Sequence, residues 1–189
     1  ALDLTEEASI ATAANHVEET GSPLRLVIDS TGILHNDAMG PEKTWRHLEP
    51  EAMARAFAIN AIGPALLMKH FLPLLPRRGK AVFATLSAKV GSIGDNHIGG
   101  WYSYRASKAA LNQYVRTAAI ELARRWPEAA CVALHPGTVD TGLSAPYAKQ
   151  GLPVQTPEAA AGRLLGVLDG LDAAHSGRFF TYAGEELPW

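Results

Sequence analysis

Four short apolar runs alternate with longer stretches in which apolar side chains recur every three or four positions. The apolar runs span residues 24–30, 80–87, 130–136 and 177–182. They predict buried β-strands, because they are short and rich in Val, Leu, Phe and Ala. The periodic stretches, which predict helices, span residues 5–20, 50–75, 103–126 and 157–171. Strands alternating with helices predict an α/β protein with βαβ units around a buried, mostly parallel sheet.

Length and charge narrow the class of protein. A chain of 189 residues is long enough for one α/β domain with its own core, so we expect a single domain over residues 1–189. The net charge of −2 gives no electrostatic reason to expect a nucleic acid or an anionic membrane as partner. No run of about 18 uninterrupted apolar residues occurs. We therefore expect a soluble, cytoplasmic protein.

The cysteine and histidine content adds neither a candidate nucleophile nor a candidate metal site to this expectation. Cys131 is the single cysteine and lies in the apolar run AACVALH, so we expect a buried small side chain rather than a nucleophile. The seven histidines do not pair with Cys, Asp or Glu at the spacing of zinc ligands. The sequence predicts no metal site.

Two loops mark where a ligand would bind. Residues 91–100 are glycine-rich and follow a predicted strand, and residues 136–157 form a long segment containing several prolines. Open parallel sheets bind ligands beyond the carboxyl ends of their strands. Because both loops leave strands at that edge, we assign them to the candidate site.

One pair of side chains in this region has a spacing that favours acid–base chemistry. Tyr104 and Lys108 lie four residues apart in a predicted helix and therefore share one face. A nearby ammonium stabilises a phenolate, so we expect Lys108 to lower the pKa of Tyr104 and prepare it as a general acid/base. Tyr102 has Ala106 at the equivalent position and no such partner.

Two serines and one asparagine are further candidates. Ser87 ends a predicted strand at the ligand-binding edge, where its hydroxyl would reach a substrate oxygen, and Ser92 in the next loop is its rival. Asn60 is a polar residue in an otherwise apolar helical stretch. Its amide either supports a helix irregularity and a water or is simply exposed. Trp101 either lines a substrate pocket or packs in front of the helix.

Taken together, these motifs resemble the short-chain dehydrogenase/reductase family from about residue 1 to the end. The matching stretches, which occur in the family's order, are DLT at 3–5, LVIDSTGIL at 26–34, NAIGP at 60–64, LSAKVGSI at 86–93, YRASK at 104–108 and HPGTVDT at 135–141. The loop and helix start at 91–112 and the ending FFTYAGEELPW look most like the C-factor-type, carbonyl-reductase-like branch.

The resemblance implies a Rossmann-like, doubly wound three-layer αβα fold and a set of roles. Tyr104 would exchange a proton with the reacting oxygen, and Ser87 would position the carbonyl. Lys108 would lower the pKa of Tyr104 and hold the nicotinamide ribose, and Asn60 would anchor a water in a proton relay. The residues implied to contact NADP or NAD are Asp3, Thr31, Gly32, Tyr104, Lys108, Pro136, Gly137, Val139 and Thr141.

Three departures from the family pattern qualify these roles. Neither G-x-G-x-x-G nor a P-loop motif is present. We therefore expect that an N-terminal segment with the family's first strands is missing. We also expect the chain as given to bind nucleotide poorly. Asp29, Ser30 and Thr31 stand where the family usually has two asparagines and an alanine. Tyr104 follows Ser87 by 17 residues, a longer interval than the family's commonest loop.

The resulting interpretation is an NAD(P)-dependent oxidoreductase that interconverts a small-molecule carbonyl and an alcohol. The alternative is a non-catalytic protein on the same scaffold that senses nucleotide or acts through protein contacts. The helical stretches at 50–75 and 103–126 carry more apolar residues than one core-facing side requires. Because the equivalent helices pair between subunits in the family that the chain resembles, the resemblance implies a homodimer or homotetramer. The sequence does not determine the substrate, the direction of reaction or the choice between NAD and NADP.

Overall fold

A parallel sheet forms the centre of the computed structural model, which describes residues 1–147 and 153–189. The described residues form the strands β1 (Leu26–Asp29), β2 (Ala81–Leu86), β3 (Ala129–His135), β4 (Thr138–Val139), β5 (Val154–Gln155) and β6 (Phe179–Thr181). The main sheet has the order β1-β2-β3-β6 with every neighbouring pair parallel, and β4 pairs with β5 separately. The predicted parallel sheet is confirmed.

Five α-helices connect these strands. They are α1 (Glu7–Glu19), α2 (Pro50–Phe57), α3 (Gly63–Phe71), α4 (Tyr102–Leu122) and α5 (Pro157–Gly170) within the described residues. A π-helical segment, Ala58–Ile62, joins α2 to α3. Short 3₁₀ turns lie at Trp45–His47, Leu72–Leu74, Lys89–Gly91, Ala145–Tyr147 and Ala173–His175. The helical stretch predicted at 50–75 is therefore present, but it is divided by a change of helix type.

Helices cover both faces of the sheet and give the three-layer arrangement. On one face, Phe83 of β2 and Phe179 of β6 are fully buried with Leu111 of α4. On the other face, Val132 of β3 packs with Leu164 of α5. Alternate side chains of a strand point to opposite faces, so one apolar run supplies both layers. Each fully buried side chain of this size contributes about 1.5–3 kcal/mol to stability.

Cys131 belongs to the first of these layers. Its side chain is fully buried in β3, and burial raises the pKa of the thiol to about 12. A thiol with so high a pKa is a poor nucleophile at neutral pH. The prediction of a buried small side chain is confirmed.

The helical run Pro50–Leu74 is long and apolar enough to cross a membrane by length and composition alone. In the structure, Leu67, Met68 and Phe71 of this run are buried in the core cluster against the sheet. That packing is the arrangement of a core helix in a globular protein, which passes the same test of length and composition.

Candidate active site

A cavity of about 550 Å³ opens at the carboxyl ends of the parallel strands, where such sheets bind ligands. The predicted site residues that line it are Thr31, Gly32, Ser87, Tyr104, Lys108, Pro136, Gly137, Val139 and Thr141. They come from the segments that follow β1, β2 and β3, which include β4, and from the first two turns of α4. The topology therefore brings together residues that are more than a hundred positions apart in the sequence.

Lys108 is a buried cation at the base of this cavity. It is 2% exposed, and its Nζ donates a hydrogen bond to the Leu86 carbonyl oxygen at 2.7 Å. Burial lowers the pKa of Lys108 to about 8, an effect opposed by the negative charge of Asp29. The ammonium is therefore the main form of Lys108 at neutral pH, although less strongly favoured than in water.

Asp29 supplies that negative charge from the end of β1. It is 3% exposed; its Oδ1 accepts hydrogen bonds from the Thr31 backbone N–H (3.0 Å) and hydroxyl (2.6 Å). Its Oδ2 accepts one from the hydroxyl of Thr85, 2.6 Å away on β2. Three donors satisfy the carboxylate, as a buried charge requires. The departure from the family pattern at this position thus places a compensated negative charge near Lys108.

Tyr104 lies in the first turn of α4 with its ring half-buried. Burial raises the pKa of its phenol to about 12. The predicted lowering of this pKa by Lys108 is wrong for the protein alone, because the loss of phenolate hydration dominates. The phenol is protonated at neutral pH and suited to donate a proton.

Ser87, rather than Ser92, faces the cavity. The Ser87 hydroxyl donates a hydrogen bond to Oδ1 of Asn112 at 2.6 Å, whereas Ser92 is buried in its loop and accepts one from the Asp95 backbone N–H at 3.2 Å. The sequence analysis missed Asn112. The spacing along the helix would have identified Asn112, because Tyr104, Lys108 and Asn112 lie four residues apart and share one face of α4.

Asn60 is fully buried in the π-helical segment, so the predicted helix irregularity is present and the exposed alternative is wrong. Its Oδ1 accepts from the Ile33 backbone N–H at 2.7 Å, and its Nδ2 donates to the Ile33 carbonyl oxygen at 2.8 Å. Nδ2 also lies 3.1 Å from the hydroxyl of Ser107 on α4. These bonds fix the loop after β1 against the helix that carries Tyr104. The water relay stays a prediction.

Asp3, like the buried Asn60, is a predicted site residue that does not line the cavity. Its side chain is exposed, and its Oδ1 accepts hydrogen bonds from the backbone N–H (2.8 Å) and hydroxyl (2.7 Å) of Thr5. These bonds organise the turn before α1. The residues that line the cavity therefore do not test the adenine contact that the resemblance implies for Asp3.

Two glycines permit the close packing around the cavity. A Cβ on Gly91 would lie 2.7 Å from Cβ of Lys108, so only glycine lets the turn after β2 approach α4 so closely. Gly137 has φ +77°, and a Cβ there would lie 2.6 Å from Nε2 of Gln155. Gly91 thus holds backbone against Lys108, and Gly137 lets the turn after β3 pass close to Gln155.

His135 ends β3 and lines the cavity, although the sequence analysis did not select it. Its pKa is lowered to about 4, first by burial and second by the positive charge of Lys89. Its Nδ1 is buried without a hydrogen-bond partner among the described residues. The imidazole is therefore neutral at physiological pH and adds no charge to the site.

The residues present fit the nicotinamide and ribose of the coenzyme that the resemblance implies. Nζ of Lys108 carries three N–H groups, and the described protein takes up one of them, at Leu86. A Cβ on Gly32 would lie 3.5 Å from that Nζ, in van der Waals contact with it, and both residues line the cavity. A diol such as a ribose supplies the acceptors that this cation lacks.

The model of the family described as "Enoyl-(Acyl carrier protein) reductase" matches residues 1–167. A relative named C-signal, from Myxococcus xanthus, is 44% identical over 138 residues, which are 72% of this chain and 78% of the relative. A second, the 1-hydroxy-2-glutathionyl-2-methyl-3-butene dehydrogenase of Rhodococcus sp. (strain AD45), is 33% identical over 188 residues, covering 100% of this chain and 78% of the relative.

A solved structure of similar shape is that of NADPH-bound carbonyl reductase from chicken fatty liver. Its TM-score with this chain is 0.85 at 32% sequence identity, and the match covers 100% of this chain and 75% of the reductase. The similarity thus extends over the whole sheet and the cavity at its edge.

Proposed function

Because the chain belongs to the short-chain dehydrogenase/reductase family, we propose that it is an NAD(P)-dependent oxidoreductase that interconverts a carbonyl group and an alcohol. The observation that carries this proposal is the convergence of Tyr104, Lys108 and Ser87 on one cavity at the strand ends. The NADPH-bound carbonyl reductase of similar fold supports the class of coenzyme.

Each side chain has a chemical task in this proposal. A bound nicotinamide coenzyme supplies or accepts the hydride. Tyr104 donates a proton to the carbonyl oxygen during reduction, and its raised pKa keeps that proton in place at neutral pH. Ser87 positions the same oxygen by donating its hydroxyl hydrogen to it, so the hydroxyl turns from Oδ1 of Asn112 to the substrate when the carbonyl compound binds.

Lys108 serves two tasks beside the reacting oxygen. Its ammonium binds the ribose hydroxyls and stabilises negative charge as the Tyr104 proton leaves. Asp29 favours the charged form of Lys108 from the neighbouring strand end, and thereby keeps both tasks available at neutral pH. The protein thus orients the reactants and moves one proton.

The direct test of the proposal measures coenzyme oxidation and alcohol formation together. Purified protein is incubated with NADPH or NADH and a panel of aldehydes, ketones and one conjugated enone. The enone is included because the matching family model describes an enoyl reductase. We expect coenzyme oxidation at 340 nm that requires a carbonyl compound and yields an equal amount of alcohol. The proposal would be contradicted if none of the saturated aldehydes and ketones caused oxidation of the coenzyme.

The alternative is a non-catalytic protein on the same scaffold, which acts through nucleotide or protein contacts. The relative named C-signal is the observation in its favour. Under this alternative, coenzyme binding is seen by fluorescence or calorimetry while no carbonyl compound is reduced. The assay described above therefore separates the two functions.

We also propose that copies of the chain pair through the outer faces of the α2–α3 run and α4. Large apolar side chains are exposed there: Ile62 at 49%, Tyr114 at 42% and Ile120 at 51%. Burial of such side chains between copies removes apolar surface from water. Light scattering coupled to size exclusion is expected to give the mass of a dimer or tetramer, and the mass of one chain would contradict the pairing.

A further inference from the structure

The helix that carries Tyr104 and Lys108 begins without a cap of its own. Its N-cap residue is Trp101, which has φ +54° and ψ +43° and makes no side-chain cap hydrogen bond. The first N–H groups of a helix have no partner within the helix and need acceptors from elsewhere. Ser, Thr, Asp or Asn usually supply one from the N-cap position, but an indole side chain has no acceptor.

Glu42 supplies these acceptors from the loop between β1 and α2. Its carboxylate accepts a hydrogen bond from the Ser103 backbone N–H at 3.1 Å, across 61 residues of sequence, and another from the Ser103 hydroxyl. Its backbone carbonyl accepts from the Trp101 N–H at 2.5 Å. Glu42 is only 5% exposed, so its carboxylate is committed to these contacts. A negative charge at this position also complements the helix dipole.

Trp101 is the link between this cap and the catalytic tyrosine. Among the described residues it is the one non-glycine with positive φ, a conformation that costs about 1–2 kcal/mol. Its indole meets the ring of Tyr104 edge-on at 6.2 Å and the ring of Tyr147 at 5.5 Å. Such a conformation persists only where the surroundings impose it, and the bond from the Trp101 N–H to the Glu42 carbonyl oxygen is one of the contacts that hold it.

We propose that Glu42 is a positioning residue for Tyr104. Its carboxylate fixes the first turn of α4 through Ser103, directly after Trp101, and the indole of Trp101 then holds the phenol ring in place. Glu42 touches neither substrate nor coenzyme in this account. The inference rests on the proposed function, since it concerns the placement of the proton donor.

The test compares Glu42→Ala and Glu42→Gln with Glu49→Ala as a matched control. Glu49 lies in the same inter-strand segment, is exposed and makes no side-chain cap hydrogen bond. We expect Glu42→Ala to lower kcat about tenfold to a hundredfold with the coenzyme KM changed less than threefold, because misplacement of a reacting group slows the chemical step. Glu42→Gln, which still accepts a hydrogen bond from Ser103, is expected to recover at least part of kcat.

A second variant separates positioning from stability. Glycine adopts the backbone conformation of Trp101 without strain, which offsets part of the packing lost with the indole, so Trp101→Gly is expected to fold while lowering kcat. Wild-type kcat in folded Glu42→Ala, or a loss confined to KM, would overturn the proposal. If Glu42→Ala does not fold, Ser103→Ala and Trp101→Gly become the deciding variants. Unchanged kcat in both of them would also overturn the proposal.

Failure of the proposed function gives a different result. If the wild-type protein reduces no carbonyl compound, near-ultraviolet circular dichroism still reports the placement of Trp101, with Trp101→Phe identifying its signal. The proposal then requires that Glu42→Ala lose this signal and that Glu49→Ala retain it. A Trp101 signal that survives in Glu42→Ala would show that Glu42 does not position this part of α4.

Discussion

Tyr104→Phe is expected to lower kcat for carbonyl reduction by about a hundredfold to ten-thousandfold, the range that a positioned proton donor contributes. The substitution removes one hydroxyl, for which the structure shows no hydrogen-bond partner within the described residues. The fold and the packing of Trp101 against the ring are therefore expected to stay unchanged. Steady-state kinetics beside thermal unfolding measures both effects in one preparation.

Tyr102→Phe is the matched control for this prediction. Tyr102 lies one residue before Ser103 on the same turn, but the residue four positions later is Ala106 rather than a lysine. We expect this variant to keep kcat within about threefold of the wild type. Equal losses in the two variants, or full activity in Tyr104→Phe, would show that the proton comes from elsewhere.

The free energy of unfolding of the wild type is expected to rise by about 3 kcal/mol between about pH 8 and pH 10.5 through Lys108 alone. The pKa of Lys108 is lowered from 10.5 to about 8 by burial. Between these values the unfolded chain binds more protons than the folded one, so raising the pH favours the folded state. Below about pH 8 the full cost of burying the charge is present.

Two substitutions isolate this contribution. Lys108→Met has no group that titrates here, so its unfolding free energy is expected to lack the rise, and it is also expected to lose most activity with the ammonium. Asp29→Asn removes the charge that opposes the shift, so the pKa of Lys108 falls further and the rise begins at a lower pH and becomes larger.

Urea unfolding at pH steps from about 7 to about 10.5 measures these curves, and Lys43→Met, at an exposed lysine, serves as the control. The curve of Lys43→Met is expected to follow the wild type. Curves that run parallel for the wild type and Lys108→Met would show that the lysine has an ordinary pKa in the folded protein. Parallel curves for the wild type and Asp29→Asn would remove Asp29 as its charge partner.

Most of the sheet was predictable because its central strands, β2 and β3, are buried on both faces. Continuous apolar runs, such as the one that becomes β2 (Ala81–Leu86), carry a strong signal with ends uncertain by one or two residues. The pair β4 and β5 was missed because two-residue strands show no periodicity. The division of the helical run at Ala58–Ile62 was indicated only by the polar Asn60.

Some residues of the site were predictable from local sequence patterns, and others depend on contacts between distant segments. Tyr104 and Lys108 were predicted from helical spacing, and Ser87 from its place at a strand end. Asn112 follows from the same spacing carried one turn further. Glu42 was not predictable, since 61 residues separate it from Ser103 and no pattern in either segment refers to the other. The pKa of Tyr104 depends on burial, which only the folded chain defines.

The most direct test of the central claim uses NADPH that carries deuterium at both hydrogen positions of the nicotinamide C4, so that either face delivers a label. The purified protein is given the labelled coenzyme and a carbonyl compound that it reduces, and the alcohol is analysed by mass spectrometry and NMR. We predict one deuterium on the carbinol carbon for each coenzyme oxidised, and almost none formed by Tyr104→Phe in the same time. Coenzyme oxidation without deuterium in the alcohol, or equal transfer by Tyr104→Phe, would contradict the claim that this cavity reduces carbonyl compounds with Tyr104 as proton donor.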